Sequence, residues 1–283
     1  MARAFVTGWP IGHSRSPLVH GYWLKQFGID GDYLRHPCKV ENFENFIKTF
    51  NKNGFIGGNV TLPHKETAFS SIEKTDATAT RLGAVNTVWI EDDQIVGANT
   101  DGYGFMANLD EFVPNWSDEN RLKRGALVLG AGGAARAIID ALMQRGFKRI
   151  TIANRTLIRA VELREMFGEP CQAIAYEDIG DAEKKSSIII NTTSVGMAGT
   201  ELESDTPISL KGFSSDTIVN DIVYTPLITP LLHEAKTSGM KAVDGLGMLL
   251  HQAVPGFEKW FGVRPEVTKE LRAVLLADLG EVS

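Results

Sequence analysis

Two short segments of this chain carry an ammonium and a carboxylate placed where they could exchange a proton with a small polar molecule. In Asn59-Val-Thr-Leu-Pro-His-Lys65, Pro63 suits a first helical position, so Lys65 falls in the first turn of a helix. The helix dipole disfavours a cation there, and a local rule broken in this way points to function. Taken alone, a solvated surface lysine fits the segment as well. In Asn99-Thr-Asp-Gly-Tyr-Gly104, Asp101 stands at a strand end. Its carboxylate can meet a lysine from a neighbouring strand–helix junction, or can cap the turn before Gly102. An ammonium–carboxylate pair is the equipment of general acid–base catalysis.

Further polar residues surround these two in the sequence. In Gly8-Trp-Pro-Ile-Gly-His-Ser-Arg-Ser-Pro17, the proline pushes Ser16 toward extended backbone, which turns Ser14 and Ser16 the same way. Two parallel hydroxyls before a helix make a seat for a carboxylate, although Ser16 fits a helix cap equally well. Asn59 and Thr61 share one face of a strand end, and Asn86 in Gly83-Ala-Val-Asn-Thr87 can offer donor and acceptor to a polyol.

The sharpest local signal lies further on. The apolar run Ala126–Leu129 feeds Gly130-Ala-Gly132-Gly133-Ala134-Ala135, and a helical pattern follows. Gly130 permits a tight turn, Gly132 admits a pyrophosphate to the backbone, and small Ala135 lets helix and strand pack closely. The next strand ends in Asn154-Arg155-Thr156, 24 residues after Gly130, with Arg159 four positions beyond Arg155. No carboxylate stands there to accept from a ribose 2′-hydroxyl, and a guanidinium is available for a 2′-phosphate, so NADP is the expected cofactor.

These residues need a scaffold of alternating strands and helices. Runs rich in β-branched residues at Ala4–Thr7, Phe55–Thr61, Val85–Ile90, Gln94–Ala98, Ala126–Leu129, Arg149–Ala153, Ile188–Ile190 and Thr217–Asp221 read as strands. Helical patterns at Pro17–Phe27, Val40–Asn51, Ala134–Arg145 and Leu157–Phe167 separate most of them. The alternation predicts an α/β protein with mainly parallel sheets. Asp92-Asp93 marks a hairpin, and Val113–Lys123 reads as a polar loop. Met248–Leu279 reads as helix broken at Pro255 and Pro265. At 283 residues the chain has room for two domains, with a junction near Asp101–Asn108.

Bulk properties exclude several classes. A net charge of −6 without a basic stripe speaks against nucleic acid or an anionic membrane. No apolar run approaches the ~20 residues of a membrane span, and no signal-peptide pattern opens the chain, so a cytoplasmic protein is expected. Cys38 and Cys171 lack any metal-ligand or disulfide spacing, so no metal is expected.

In this order the motifs resemble the shikimate dehydrogenases. The resemblance is carried by His-Ser-Arg-Ser-Pro (13–17), Asn-Val-Thr-Leu-Pro-His-Lys (59–65), Gly-Ala-Val-Asn-Thr (83–87), Asn-Thr-Asp-Gly-Tyr-Gly (99–104) and the glycine loop (130–137). It continues through Asn-Arg-Thr (154–156), Asn-Thr-Thr-Ser-Val-Gly-Met (191–197), the segments 221–232 and 244–253, and so spans nearly the whole chain. It implies an N-terminal α/β substrate domain (1–104, completed by C-terminal helices 247–283) and a Rossmann-like, doubly wound NADP-binding domain (105–246), with the active site in the interdomain cleft. The reaction implied is the reversible NADPH-dependent reduction of 3-dehydroshikimate to shikimate, on the route to chorismate and the aromatic amino acids. Lys65 and Asp101 would be the catalytic pair, with Ser14, Ser16, Asn59, Thr61, Asn86, Tyr224 and Gln252 around the substrate. The cofactor would meet Gly130, Ala131, Gly132, Gly133, Ala134, Asn154, Arg155, Thr156, Arg159, Thr192, Ser194, Ile222 and Gly245. Ile222 stands where many relatives have Met, which changes the wall beside the nicotinamide slightly. A monomer or homodimer is expected. A dual quinate/shikimate dehydrogenase is one alternative, although such relatives more often use NAD. A non-catalytic sensor of shikimate-pathway metabolites is another, opposed by the retention of Lys65 and Asp101.

Overall fold

Apolar side chains sort by parity along the strands, and that sorting builds two sheets, each covered on both faces. The computed structural model describes residues 1–181 and 183–280; residues 182 and 281–283 of the spans expected above lie outside these. The chain forms two compact units, one of Met1–Gly104 with the segment from Leu249 onward, the other of Phe105–Met248.

The first unit holds β1 (Ala2–Gly8), α1 (Ser16–Gln26), β2 (Gly31–Pro37), α2 (Val40–Thr49), β3 (Gly57–Val60), α3 (Lys65–Ser71), β4 (Lys74–Thr75), α4 (Ala77–Leu82), β5 (Thr87–Glu91) and β6 (Gln94–Ala98). Strand order is β2-β1-β3-β5-β6-β4. The strands β2, β1 and β3 run parallel, whereas β3–β5 and β5–β6 are antiparallel, so this sheet is mixed. The β5–β6 hairpin turns at Asp92 and Asp93, with φ of 51° and 59°, both in the left-handed region a type I′ turn demands. On β1, Phe5 points into a cluster with Phe43, Phe46 and Phe50. Its neighbours Ala4 and Val6 face the other side, with Tyr33, Trp89 and Trp260.

In the second unit, α5 (Asp101–Phe112), which begins in the first unit, and α6 (Glu119–Arg124) lead into β7 (Ala126–Leu129), α7 (Gly133–Arg145), β8 (Ile150–Ala153), α8 (Leu157–Phe167) and β9 (Cys171–Ile174). β10 (Ile188–Asn191), β11 (Ile218–Asp221), α9 (Pro230–Thr237) and β12 (Lys241–Val243) follow. The sheet order is β9-β8-β7-β10-β11-β12, every pair parallel. This is the doubly wound order, with its topological switch between β7 and β10. Ala126 and Val128 face one core and Leu127 and Leu129 the other, as a strand buried on both sides requires. The chain returns to the first unit within α10 (Leu246–Phe261) and ends its described part with α11 (Lys269–Asp278).

Four expectations need correction. The segment Val113–Lys123 is not all loop: α6 starts at Glu119, where Asp118 accepts a hydrogen bond from the Arg121 N–H. This helix buries none of its side chains, so no apolar period announces it. Pro255 does not break α10. Leu250, Ala253, Val254 and Phe257 around it are buried, and their packing outweighs the ~3 kcal/mol a helical proline costs. Pro63 lies outside α3, which starts at Lys65. Ser16 opens α1 instead of standing extended before it.

Candidate functional site

Two helix starts in the first unit bring the lysine and the aspartate together. Lys65 is the first residue of α3 and Asp101 the first of α5. Lys65 Nζ donates to Asp101 Oδ2 at 2.6 Å, with the side chains 25% and 14% exposed. The pair is thus sheltered but reachable by a solute. A carboxylate at a helix N-terminus is favoured, and it offsets the cost of the ammonium at the neighbouring one.

Behind this pair lies a buried polar network. Asn86 Nδ2 donates to Asp101 Oδ1 at 2.8 Å and to Thr100 Oγ1 at 3.1 Å. Asn86 Oδ1 accepts from the Thr100 N–H at 2.9 Å and from Thr87 Oγ1 at 2.8 Å, so its amide cannot turn over without losing both. Asn99 Oδ1 accepts from the Asp101 N–H at 3.1 Å. Asn59 Nδ2 donates to the Asn86 carbonyl and to Thr87 Oγ1, each at 3.1 Å. Thr100 Oγ1 donates to the Gln252 carbonyl on α10 at 2.9 Å. Ser14 Oγ accepts from the Ser16 N–H at 3.3 Å. Thr61 lies one residue past β3, its N–H on the Thr7 carbonyl at 2.9 Å. Lys65, Asp101, Asn86, Asn59, Ser14, Ser16, Thr61 and Gln252 therefore all belong to the first unit.

The second unit offers a cradle for an anion. Gly130 has φ +101°, and a Cβ there would collide with Thr192 Oγ1 at 2.7 Å; the turn thus needs glycine both for its backbone and for its packing. Gly132 and Gly133 are exposed with open space where a Cβ would stand, beside partly buried Ala131 and Ala134. No side chain caps the N-terminus of α7, so its first N–H groups are open to a phosphate. At the end of β8, Asn154 Nδ2 donates to the Thr156 carbonyl at 2.8 Å, and Arg155, Thr156 and Arg159 are exposed. Thr192 Oγ1 donates to the Leu129 carbonyl at 2.8 Å, which ties the two strands at the switch point, and Ser194 is exposed. Gly245 lies against the Ile222 main chain so tightly that a Cβ would overlap the Ile222 carbonyl. These residues have the chemistry a dinucleotide needs: glycines that let a phosphate approach, and exposed cations just past β8.

Comparison with known proteins agrees with both halves. The family model for the shikimate dehydrogenase substrate binding domain matches residues 6–88, that for shikimate/quinate 5-dehydrogenase matches 117–245, and that for the shikimate 5′-dehydrogenase C-terminal domain matches 245–276. The shikimate dehydrogenase (NADP+) of Bartonella quintana (strain Toulouse) is 50% identical over 282 residues, covering 99% of this chain and 94% of that protein. The chain belongs to the shikimate dehydrogenase family. Among solved structures, shikimate 5-dehydrogenase from Thermus thermophilus, in complex with NADP(H) and shikimate, has a TM-score of 0.85 at 34% identity, covering 98% of this chain and all of that one (100%). Quinate dehydrogenase from Corynebacterium glutamicum, in complex with NAD, has a TM-score of 0.86 at 28% identity, with 98% and 99% covered.

The family motifs do not all gather in one unit. Tyr224, expected at the substrate, lies in the second unit three residues past β11, as do Ile222 and Gly245. Sequence reasoning passed over several residues that hold the site. Thr87 and Thr100 lie inside quoted motifs, but only their bonds to Asn86 show what they do. Tyr33, on a strand with no clear pattern, donates to Asn59 Oδ1 at 2.6 Å. Asp221 accepts from Asn191 Nδ2 and the Val223 N–H, both at 3.0 Å, and from Thr229 Oγ1 at 2.7 Å. It thereby joins the end of β10 to the loop after β11, and burial pushes its carboxyl up to about 6 against these bonds. His64 stacks on Phe43 and its Nε2–H meets the Cys38 carbonyl at 2.7 Å, a packing role for a conspicuous motif residue. Both cysteines are free and buried. Among the described residues no group of acidic, histidine or cysteine side chains could hold a metal ion, and no helix is long and apolar enough to cross a membrane.

Proposed function

We propose that this chain is an NADP-dependent shikimate dehydrogenase that reversibly reduces 3-dehydroshikimate to shikimate in the cytoplasm, as a step toward chorismate and the aromatic amino acids. The observation that carries the reading is the 2.6 Å Lys65–Asp101 pair at two adjoining helix starts, within a chain 50% identical to a shikimate dehydrogenase (NADP+) along nearly its whole length. NADPH would supply the hydride to the carbonyl carbon. Lys65 delivers the proton to the carbonyl oxygen and stabilises its developing negative charge, and Asp101 orients the ammonium. Asn86 fixes the Asp101 rotamer, and Ser14, Ser16, Asn59, Thr61, Tyr224 and Gln252 hold the ring acid and its hydroxyls. Gly130 to Ala134 with the start of α7 receive the pyrophosphate, Asn154 to Thr156 and Arg159 receive the adenosine 2′-phosphate, and Thr192, Ser194, Ile222 and Gly245 border the nicotinamide half. The unit of 1–104 with the C-terminal helices binds substrate, and the intervening unit binds NADP.

Likeness to an NAD-bound quinate dehydrogenase keeps a second substrate and cofactor in view. Initial rates with shikimate and with quinate, each offered with NADP and with NAD, separate the readings. The proposal requires the shikimate–NADP pair to be fastest, and preference for quinate or NAD defeats it. Lys65→Ala should lower kcat by ~10²-fold or more, the scale of lost general-acid catalysis; turnover near the parent's would remove Lys65 from the chemistry.

A further inference from the structure

Tyr33 sits on β2 in an aromatic box, 6% exposed, its ring stacked on His20 at 3.9 Å and tilted against Trp260 at 5.7 Å. His20 is itself wholly buried, and desolvation pushes its imidazole down to about 3, so it stays neutral and contributes a flat face and no charge. For packing alone, phenylalanine would fill this box equally well, and a buried hydroxyl is costly unless it is hydrogen-bonded. The hydroxyl of Tyr33 is used. It donates to Asn59 Oδ1 at 2.6 Å. Two residues along the same strand, Arg35 donates through Nε and Nη2 to the Ser14 carbonyl at 3.1 and 2.7 Å. The strand therefore braces the Ser14–Ser16 segment through its main chain, and Asn59 through its side chain.

We infer that Tyr33 is a positioning residue of the substrate site, its phenol hydroxyl holding the Asn59 amide in one orientation. It acts through the Asn59 side chain and does not take part in the chemistry. The inference rests on the function proposed above and deepens it: the geometry of the seat for the ring acid is set from β2, outside the recognisable motifs. Without the hydroxyl, Asn59 Oδ1 loses its donor, while Lys65, Asp101 and the cofactor cradle keep their contacts.

The experiment is Tyr33→Phe, assayed by initial rates with shikimate and NADP varied in turn, alongside a thermal melt. The expected result is a rise in KM for shikimate of about tenfold, the scale of one buried hydrogen bond, with kcat and the KM for NADP within about twofold of the parent. In a double-mutant cycle with Asn59→Ala, the combined rise should fall short of the product of the two single rises. An unchanged KM for shikimate, parallel losses in both substrates, purely multiplicative effects, or a variant that melts far below the parent each overturn the assignment. The parent is assayed first. If it does not oxidise shikimate, the functional reading fails, and that failure is distinct from a null effect of the substitution.

Discussion

Replacing Asp101 by asparagine tests how this site holds its charge. Asp101 accepts from Lys65 on one oxygen and from Asn86 on the other. An amide offers one acceptor and one donor, so Asp101→Asn sets an NH₂ against a donor whichever way it turns. Asn86 cannot relieve the clash by rotating, because its Oδ1 already accepts from Thr87 and from the Thr100 N–H. A hydrogen bond to a charged partner contributes about 1.5–3 kcal/mol. With side-chain exposures of 25% and 14%, solvent screens only a modest part of that. A loss of about 2–3 kcal/mol from the transition state corresponds to a fall of roughly 30- to 150-fold in kcat/KM for shikimate. The assay is initial-rate oxidation of shikimate at saturating NADP, read by the absorbance of the reduced nicotinamide. The KM for NADP and the melting temperature should stay near the parent's, since the residues assigned to the cofactor are others. A variant within about threefold of the parent in kcat/KM would show that the carboxylate does not organise Lys65.

Other perturbations follow from the same contacts. Arg155→Ala should raise the KM for NADP about tenfold or more and leave that for NAD nearly unchanged, because only the former carries the 2′-phosphate; equal shifts for both would refute the clamp. Gly245→Ala should destabilise the fold by roughly 1–3 kcal/mol, since its Cβ overlaps the Ile222 carbonyl, and urea midpoints would report it; an unchanged midpoint would mean that the loop shifts freely. Asp221, raised from 3.8 to about 6 by burial, holds its proton more tightly folded than unfolded. Its contribution to stability is therefore full below about pH 4 and lost as pH rises through about 6, by up to roughly 3 kcal/mol. Relative to the parent, Asp221→Asn should flatten unfolding free energy across that window, and identical pH profiles for the two proteins would exclude the burial effect.

Much of the scaffold was legible because its central strands are apolar on both faces. Gln94–Ala98, Ala126–Leu129 and Leu157–Phe167 have the expected bounds, and Asp92-Asp93 turns the expected hairpin. The four strands left unannounced, β2, β4, β9 and β12, are the four sheet edges. An edge strand has solvent on one flank and needs no continuous apolar run: β2 reads Gly-Asp-Tyr-Leu-Arg-His-Pro, and β4 has only two residues. That omission hid Tyr33. The motifs placed the polar residues of the first unit, but they could not show that Asn86 spends its donor on Asp101 and its acceptor on two threonines. Chemical type was visible in the string of residues, whereas commitment of each hydrogen bond depends on neighbours far along the chain.

The helix that roofs the first sheet comes late in the chain, after the whole second unit. Trp260, on α10, donates through Nε1 to the Val88 carbonyl at 2.8 Å and packs with Ala4, Val6 and Trp89. Residues 105–248, by contrast, are contiguous and make their own sheet and cores. On a translating ribosome the middle of the polypeptide can close as soon as it emerges, while the opening hundred residues wait with one side of their sheet covered only in part, by α1. Emergence of α10 then completes both the roof and the Thr100–Gln252 contact, so a chain cut short before Trp260 would be left with an open, adhesive face.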